Sequence, residues 1–163
     1  MISLFISCGV NVMSIELRMI TKDDKEKLAL LEVSEAQRQY IAPNARSLET
    51  AAKEEYRDIA RPFAIYADGV PVGFAMVAFE LNSDDPNDRY WLWRFMIDKN
   101  LQRKGYGSAA LEIIIAYFKS HGADHILLST KESNLAALAL YRKYDFAETG
   151  EMNGDEIILR LKL

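Results

Sequence analysis

Two periodicities alternate along the chain. Ile15, Leu17 and Met19 alternate with Glu16 and Arg18, the period of a half-buried strand. Thr21-Lys22-Asp23-Asp24 then opens a helix that carries Leu28, Leu30 and Leu31 through about Ser34. Residues 37–46, with Pro43-Asn44 among them, read as a break before a second helix that starts after Ser47, and Pro62 marks the end of that helical region. Residues 63–67, turning at Asp68-Gly69 into residues 72–81, predict a hairpin. Residues 82–88 form a turn-rich loop rather than a linker between domains. A strand-like run over 90–97, a helix over 108–120, a strand over 125–130 and a helix over 135–144 follow. The end is a second hairpin, 146–150 and 156–163 around Asn153-Gly154, whose last strand alternates Ile157, Leu159 and Leu161 against Ile158, Arg160 and Lys162. No internal repeat or low-complexity tract interrupts this order.

Between the strand 90–97 and the helix from 108 lies Gln102-Arg103-Lys104-Gly105-Tyr106-Gly107-Ser108. A strand, an unobstructed loop and a helix start present free backbone N–H groups to a phosphate. Glycines let main chain approach a pyrophosphate where no Cβ intervenes and permit positive φ, while Arg103 and Lys104 add charge beside those amides. An ordinary loop explains one glycine but not two glycines, a basic pair and a helix start together. Residues 105–110 also fit the dinucleotide pattern G-x-G-x-x-A, but that fingerprint needs its strand to run straight into the first glycine, and Asp98 to Lys104 intervene. Asp124, at roughly the spacing of the ribose-binding acid, precedes the following strand instead of ending it. The segment therefore reads as a site for a phosphorylated cofactor other than a nicotinamide.

Gln102-Arg103-Lys104-Gly105-Tyr106-Gly107 resembles the acyl-CoA pyrophosphate loop, Q/R-x-x-G-x-G/A, of the GNAT N-acetyltransferases. Asn134, followed by Ala137, Leu140-Tyr141 and Phe146, resembles their second half-site, and the likeness extends from Met13 across almost the whole chain. The resemblance implies an α/β (α+β) fold with a mixed, mostly antiparallel central sheet and helices on both faces, the element order being β-α-α-β-β-β-α-β-α-β-β. It implies acetyl-CoA as cosubstrate and no metal. Residues 40–44, Ser47-Leu48 and the run Tyr90-Trp91-Leu92-Trp93-Arg94-Phe95-Met96-Ile97-Asp98 look like the bacterial spermine/spermidine (diamine) acetyltransferase branch.

Roles follow from the same resemblance. Phe95, Met96 and Ile97 are expected to bond the pantetheine arm and polarise the thioester carbonyl through backbone N–H groups, with Gln102, Arg103, Lys104, Gly105, Tyr106, Gly107 and Ser108 at the pyrophosphate. Asn134 is expected on the pantetheine and Tyr141 as the acid that protonates the departing thiolate. They lie seven residues apart, two helical turns, and so share a face. A phenol, protonated at neutral pH, suits that task, although an N-cap for Asn134 and a core position for Tyr141 explain each residue taken alone. Two departures stand out: Asp145 occupies a common glycine position, and Arg94 stands where some members carry a glutamate base. Glu80, Asp84 and Asp85 are the remaining base candidates, Glu32 and Glu35 could line an acceptor groove, and Tyr90, Trp91 and Trp93 could wall an ammonium ion.

Composition narrows the class. The chain has 163 residues, half of them hydrophobic, and is long enough to bury about 70% of its unfolded surface. One cysteine, Cys8, excludes an internal disulfide, and the two histidines, His121 and His125, straddle Gly122 and read as surface or strand-edge residues rather than ligands. A net charge of −4 argues against nucleic acid as a partner and is compatible with a cationic small molecule. The first dozen residues are apolar but lack a basic n-region and are too short to span a bilayer, which argues against a leader or membrane partner and for a cytoplasmic protein. Residues 1–12 read as an N-terminal extension, disordered, self-associating or the product of an upstream start, ahead of one acetyltransferase domain over 13–163. A homodimer through an exposed C-terminal strand, 156–163, is a further expectation.

The expected reaction is acetyl transfer from acetyl-CoA to a primary amine of a polyamine or similar small amine, by direct attack in a ternary complex. Without a placed cysteine nucleophile, a covalent acyl-enzyme is disfavoured. Acetylation of a protein N-terminus or lysine, and a non-catalytic acyl-CoA sensor on the same fold, remain open at this point.

Overall fold

The computed structural model describes the main chain of residues 2–8 and 11–163 and the side chains from Ser14 onward. Its strands are β1 (Ile2–Cys8), β2 (Asn11–Met19), β3 (Ala60–Ala67), β4 (Val70–Phe79), β5 (Tyr90–Ile97), β6 (His125–Thr130), β7 (Ala147–Asn153) and β8 (Glu156–Lys162). Its helices are α1 (Lys22–Ala29), α2 (Asn44–Ala51), α3 (Tyr106–Ser120) and α4 (Leu135–Lys143), with 3₁₀ turns at Glu35–Gln37, Glu54–Tyr56 and Pro86–Asp88. The strands form one sheet in the order β1-β2-β3-β4-β5-β6-β8-β7, antiparallel except where β5 meets β6. This is the mixed, mostly antiparallel sheet that the resemblance implies. No described helix is long and apolar enough to cross a membrane.

Period-two alternation sorts the sheet's side chains into two cores. Ala75, Val77 and Phe79 of β4 join Ile15 and Leu17 beneath α3, whose Ala110, Ile114 and Phe118, spaced by four, are fully buried. Phe74 and Met76 turn to the other face, with Ala64, Tyr66 and Met96, and are covered by Leu28 of α1 and Leu48 of α2. Helices thus cover both faces, and strands buried on both sides read as continuous apolar runs.

Several boundaries differ from expectation for identifiable reasons. Helix α1 stops at Ala29, short of Ser34, because the chain is drawn toward the end of β5: the Glu32 N–H donates to Asp98 Oδ2 at 3.0 Å and Glu32 O accepts from the Lys99 N–H at 2.7 Å. Helix α2 starts at Asn44, straight after Pro43, rather than after Ser47. Pro62 lies inside β3, opposite Met76, instead of ending a helix. The β2 pairing stops at Phe63, so Pro62 needs no N–H on that side. Residues 2–8, expected to lie outside the fold, pair along β2 as β1. Strand β8 is flanked by β6 and β7, so it is not the exposed edge through which a dimer was expected to pair. His125 is buried rather than superficial, its ring bridging Asp124 Oδ1 at 2.6 Å and Asn87 O at 2.9 Å.

A buried carboxylate anchors α1 to the sheet. The Tyr66 hydroxyl donates to Asp24 Oδ1 at 2.6 Å, while the Thr21 hydroxyl and N–H donate to Oδ2 at 2.7 and 2.8 Å. These bonds, Tyr66 first, hold the Asp24 carboxyl down at about 2. A depressed folded-state value contributes stability that is complete above the ordinary carboxylate range and lost as pH falls through about 2. Tyr66→Phe is expected to cost about 1–2 kcal/mol near neutrality and to move acid unfolding to higher pH, as read by circular dichroism between pH 7 and pH 2.

Candidate active site

The parallel pair β5–β6 is joined at a single register position, Trp91 with Leu127, and from there the strands part. An extra residue in β5, Trp93, lies between Leu92 opposite Val77 and Arg94 opposite Met76, bending the strand as it leaves its partner. On the β4 side the ladder continues, and the Asp98 N–H donates to Val72 O at 2.9 Å. By the alternation of an antiparallel ladder, the main chain of Met96 then faces β4, while Phe95 and Ile97 turn theirs to the gap. The Gln102 side-chain amide donating to Ile97 O at 2.9 Å from the gap side agrees. Of the three residues expected to present backbone donors, Phe95 and Ile97 turn their main chain to the gap and Met96 turns its own to β4.

Gly73 of β4 keeps β5 close at this point. A Cβ there would fall on the Met96 carbonyl oxygen and come within 2.8 Å of Ile97 Cδ1.

The gap opens into a cleft of about 1290 Å³ whose lining includes Phe95, Met96, Ile97, Gln102, Arg103, Gly105, Gly107, Ser108, Asn134 and Tyr141. Lys104 and Tyr106 lie outside that lining; Tyr106, the first residue of α3, packs on the core. The loop before α3 alternates conformations, with Arg103 at φ 62° and Gly105 at φ 87°. Among the described residues, no N–H from Arg103 to Ser108 has a main-chain acceptor; the first such bond of α3 runs from Ala109 to Gly105 O. Unpaired donors at a helix start form an anion cradle. Gln102 has a different part. Its side chain bonds Gln37 and Ile97 O, tying the loop to β5 and to the turn after α1.

Across the cleft, Asn134 sits at the N-cap position of α4 but does not cap it; its amide donates to Thr130 Oγ1 at 3.2 Å. Tyr141 is buried, and burial together with the charge of Glu156 pushes its phenol above its ordinary value, so it stays protonated. Asp145 has φ 63°, the left-handed geometry that favours glycine, and Asp adopts it more readily than most residues. The Tyr40 hydroxyl, from the loop before α2, reaches over to Ser133 O at 3.2 Å.

The α1/α2 face of the cleft carries the remaining charges. Glu80 lines it, and burial, then the charge of Asp88, raises its carboxyl above the ordinary range. Asp84 and Asp85 do not line it; Asp85 accepts from the Asn87 N–H at 2.8 Å in its own turn. Glu32 pairs with Lys99 and Arg38, and neither it nor Glu35 lines the cleft. Trp91 and Trp93 face the cleft with Tyr56, whose ring meets Trp93 edge-on at 5.5 Å, whereas Tyr90 packs against Phe79 and His125. Arg46, Tyr56 and Glu156 were not singled out by sequence reasoning. For Glu156 the period-two pattern of β8 offered a signal, since it shares a face with Ile158 and Arg160. Among the described residues no group of three or more His, Cys, Asp or Glu side chains could hold a metal.

Comparison with known proteins agrees with this geometry. The family model described as Acetyltransferase (GNAT) family matches residues 28–146. The "Probable spermine N(1)-acetyltransferase" of Bacillus subtilis subsp. natto is 35% identical over 153 residues, covering 91% of this chain and 99% of the relative. The "Spermine/spermidine N(1)-acetyltransferase" of Bacillus subtilis is 34% identical with the same coverage. The PaiA N-acetyltransferase of Thermoplasma acidophilum, solved in complex with coenzyme A, superposes with a TM-score of 0.66 at 18% identity, covering 91% of this chain and 99% of that one. The chain belongs to the GNAT family of acetyltransferases.

Gly73, behind β5 in β4, and Gly107, in the first turn of α3, separate packing from binding. Gly73→Ala is expected to destabilise by roughly 1–3 kcal/mol, because its Cβ meets main chain. Gly107→Ala meets only Leu140 Cδ2 at 3.7 Å and Ile97 Cγ1 at 3.8 Å, ordinary contacts, and its melting temperature is expected to match the parent in thermal denaturation.

Proposed function

We propose that this member of the GNAT family transfers acetyl from acetyl-CoA to a primary amine of a polyamine or a similar small amine, by direct attack in a ternary complex. The observation that carries the reading is the parting of β5 from β6, which leaves the N–H groups of Phe95 and Ile97 on one wall of a cleft and Tyr141 on the other. The pyrophosphate rests on the free N–H groups from Arg103 to Ser108, with the Arg103 charge beside it and no Cβ at Gly105 or Gly107. The pantetheine arm runs through the gap as a missing strand would, within reach of the Asn134 amide. A backbone donor of β5 bonds the thioester oxygen and bonds it more strongly as negative charge grows there during attack.

The neutral amine attacks the carbonyl carbon, the tetrahedral adduct collapses, and sulfur leaves as a thiolate that takes the Tyr141 proton. The raised Tyr141 phenol is a weak acid at rest. It delivers its proton only as the negative charge arises on sulfur beside it, which suits an acid that must not ionise early.

The acceptor lies on the α1/α2 face, between the ring faces of Trp91, Trp93 and Tyr56 and the carboxylates Glu80, Asp88 and Glu156. Aromatic faces and carboxylates together favour an ammonium-bearing chain. The names of the two Bacillus relatives point to the same acceptor class.

The test is thiol release from acetyl-CoA with spermidine as acceptor. Tyr141→Phe is expected to lower kcat by about 10²-fold or more while coenzyme A affinity stays close to the parent. Equal losses of affinity and turnover would contradict the acid role. Gly107→Ala, normal in stability, is expected to bind coenzyme A several-fold more weakly.

A further inference from the structure

The fate of the acceptor's proton is the step to which no residue has yet been matched. Three carboxylates line the cleft: Glu80, Asp88 and Glu156. Asp88 Oδ1 is taken by the Trp91 indole N–H at 2.8 Å. Glu80 directly follows β4, its N–H donating to Arg89 O at 2.8 Å, and burial with the charge of Asp88 raises its carboxyl. Glu156, at the start of β8, is different in both position and partners. Its charge acts on Arg94 from β5, on Tyr141 from α4 and on Lys131 after β6. The Ser129 hydroxyl donates to its Oε2 at 2.5 Å, and among the described residues no hydrogen-bond partner engages its Oε1. Glu156 is therefore the cleft carboxylate whose charge acts on Tyr141, and it is held with one oxygen free.

Arg94 completes the arrangement. Its Nη1 donates to Trp93 O at 2.6 Å, while its Nε is buried without a partner. Burial lowers this guanidinium from its ordinary value, Glu156 supports its charge and Arg46, also lining the cleft, opposes it. A fixed cation beside the reacting nitrogen favours the neutral amine over the ammonium ion, which is the form that attacks. The same cation disfavours an ammonium there, so a second, distal ammonium must sit away from Arg94, toward Glu80 and Asp88.

We propose that Glu156, held by Ser129, takes the proton of the attacking amine, and that Glu80 with Asp88 receives a second ammonium group of the acceptor. The inference rests on the acetyltransferase reading above. The protons balance. The ammonium ion releases one proton to solvent on becoming the neutral amine, Glu156 takes the second as the C–N bond forms, and Tyr141 gives its own to sulfur as the C–S bond breaks. Protonated Glu156 then returns a proton to the Tyr141 phenolate, directly or through water. Both side chains are thereby reset, and the net transfer is one proton from nitrogen to sulfur.

The test compares Glu156→Gln, which preserves the shape that Ser129 holds, with Glu80→Gln in steady-state assays across pH with spermidine and butylamine. Glu156→Gln is expected to lower kcat/KM by about 10²-fold or more for both amines at every pH assayed. Titration calorimetry is expected to show coenzyme A binding within twofold of the parent. Glu80→Gln is expected to raise KM for spermidine several-fold more than that for butylamine. A Glu156→Gln protein with parental kcat and pH profile would overturn the proton-acceptor role, as would a collapse of kcat for both amines in Glu80→Gln alone. Failure of the parent protein to acetylate either amine while binding coenzyme A would instead overturn the acceptor reading on which the proposal rests.

Discussion

A sheet that loses a hydrogen-bonding partner halfway along an interior strand must satisfy those groups in some other way, because main-chain N–H and C=O groups rarely remain unpaired away from water. Strands β5 and β6 share one register position and then diverge, and the rest of the site depends on that divergence. The bulge at Trp93 turns β5, Gly73 lets β4 follow it closely, and Gln102 crosses the far end to hold Ile97 O. Where the partner strand is missing, a ligand with alternating polar groups can take its place. The pantetheine of coenzyme A, with two amides in an extended chain, is such a ligand. The anion cradle before α3 lies in the same cleft, so one molecule can use both.

The second constraint is charge in a partly dry cleft. Arg94, Glu156 and Tyr141 come from three different elements, and the charge of Glu156 acts on both of the others. Removing a charged partner from such a set costs more than its exposed counterpart would, because the remaining charge is left without water. Glu32 with Lys99 and Arg38, exposed at the outer surface, is the contrasting case, and surface pairs of that kind contribute little. The chemistry proposed for this fold belongs to the inner set.

Local chemistry made much of this legible in the sequence. Two glycines with a basic pair before a helix marked the cradle, and alternation marked β2 and β8, because those signals depend only on neighbouring residues. Long-range bonds did not show. The early end of α1 depends on Asp98, 66 residues from Glu32, and nothing near Leu30 announces it. Pro62 reads as a terminator until the one-sided pairing of β3 is seen. Gln102 fits a phosphate motif, yet its amide is spent on Gln37 and Ile97, an engagement that requires the fold. Glu156 went unremarked although the alternation of its strand offers it a face, and only the pairing of β8 with β6 brings it to Ser129. Asp145 is a departure whose backbone explains itself: the left-handed position is kept and the residue filling it has changed.

In the proposed complex, β5 offers alternate main-chain donors to the cofactor. Residue-resolved amide hydrogen exchange, with and without coenzyme A, tests it most directly. Met96, already bonded to β4, is predicted to exchange slowly in both states, while Phe95 and Ile97 exchange faster in the free protein and become protected when coenzyme A binds. Protection of Phe95 and Ile97 that is equal in the two states, with coenzyme A bound, would contradict the claim.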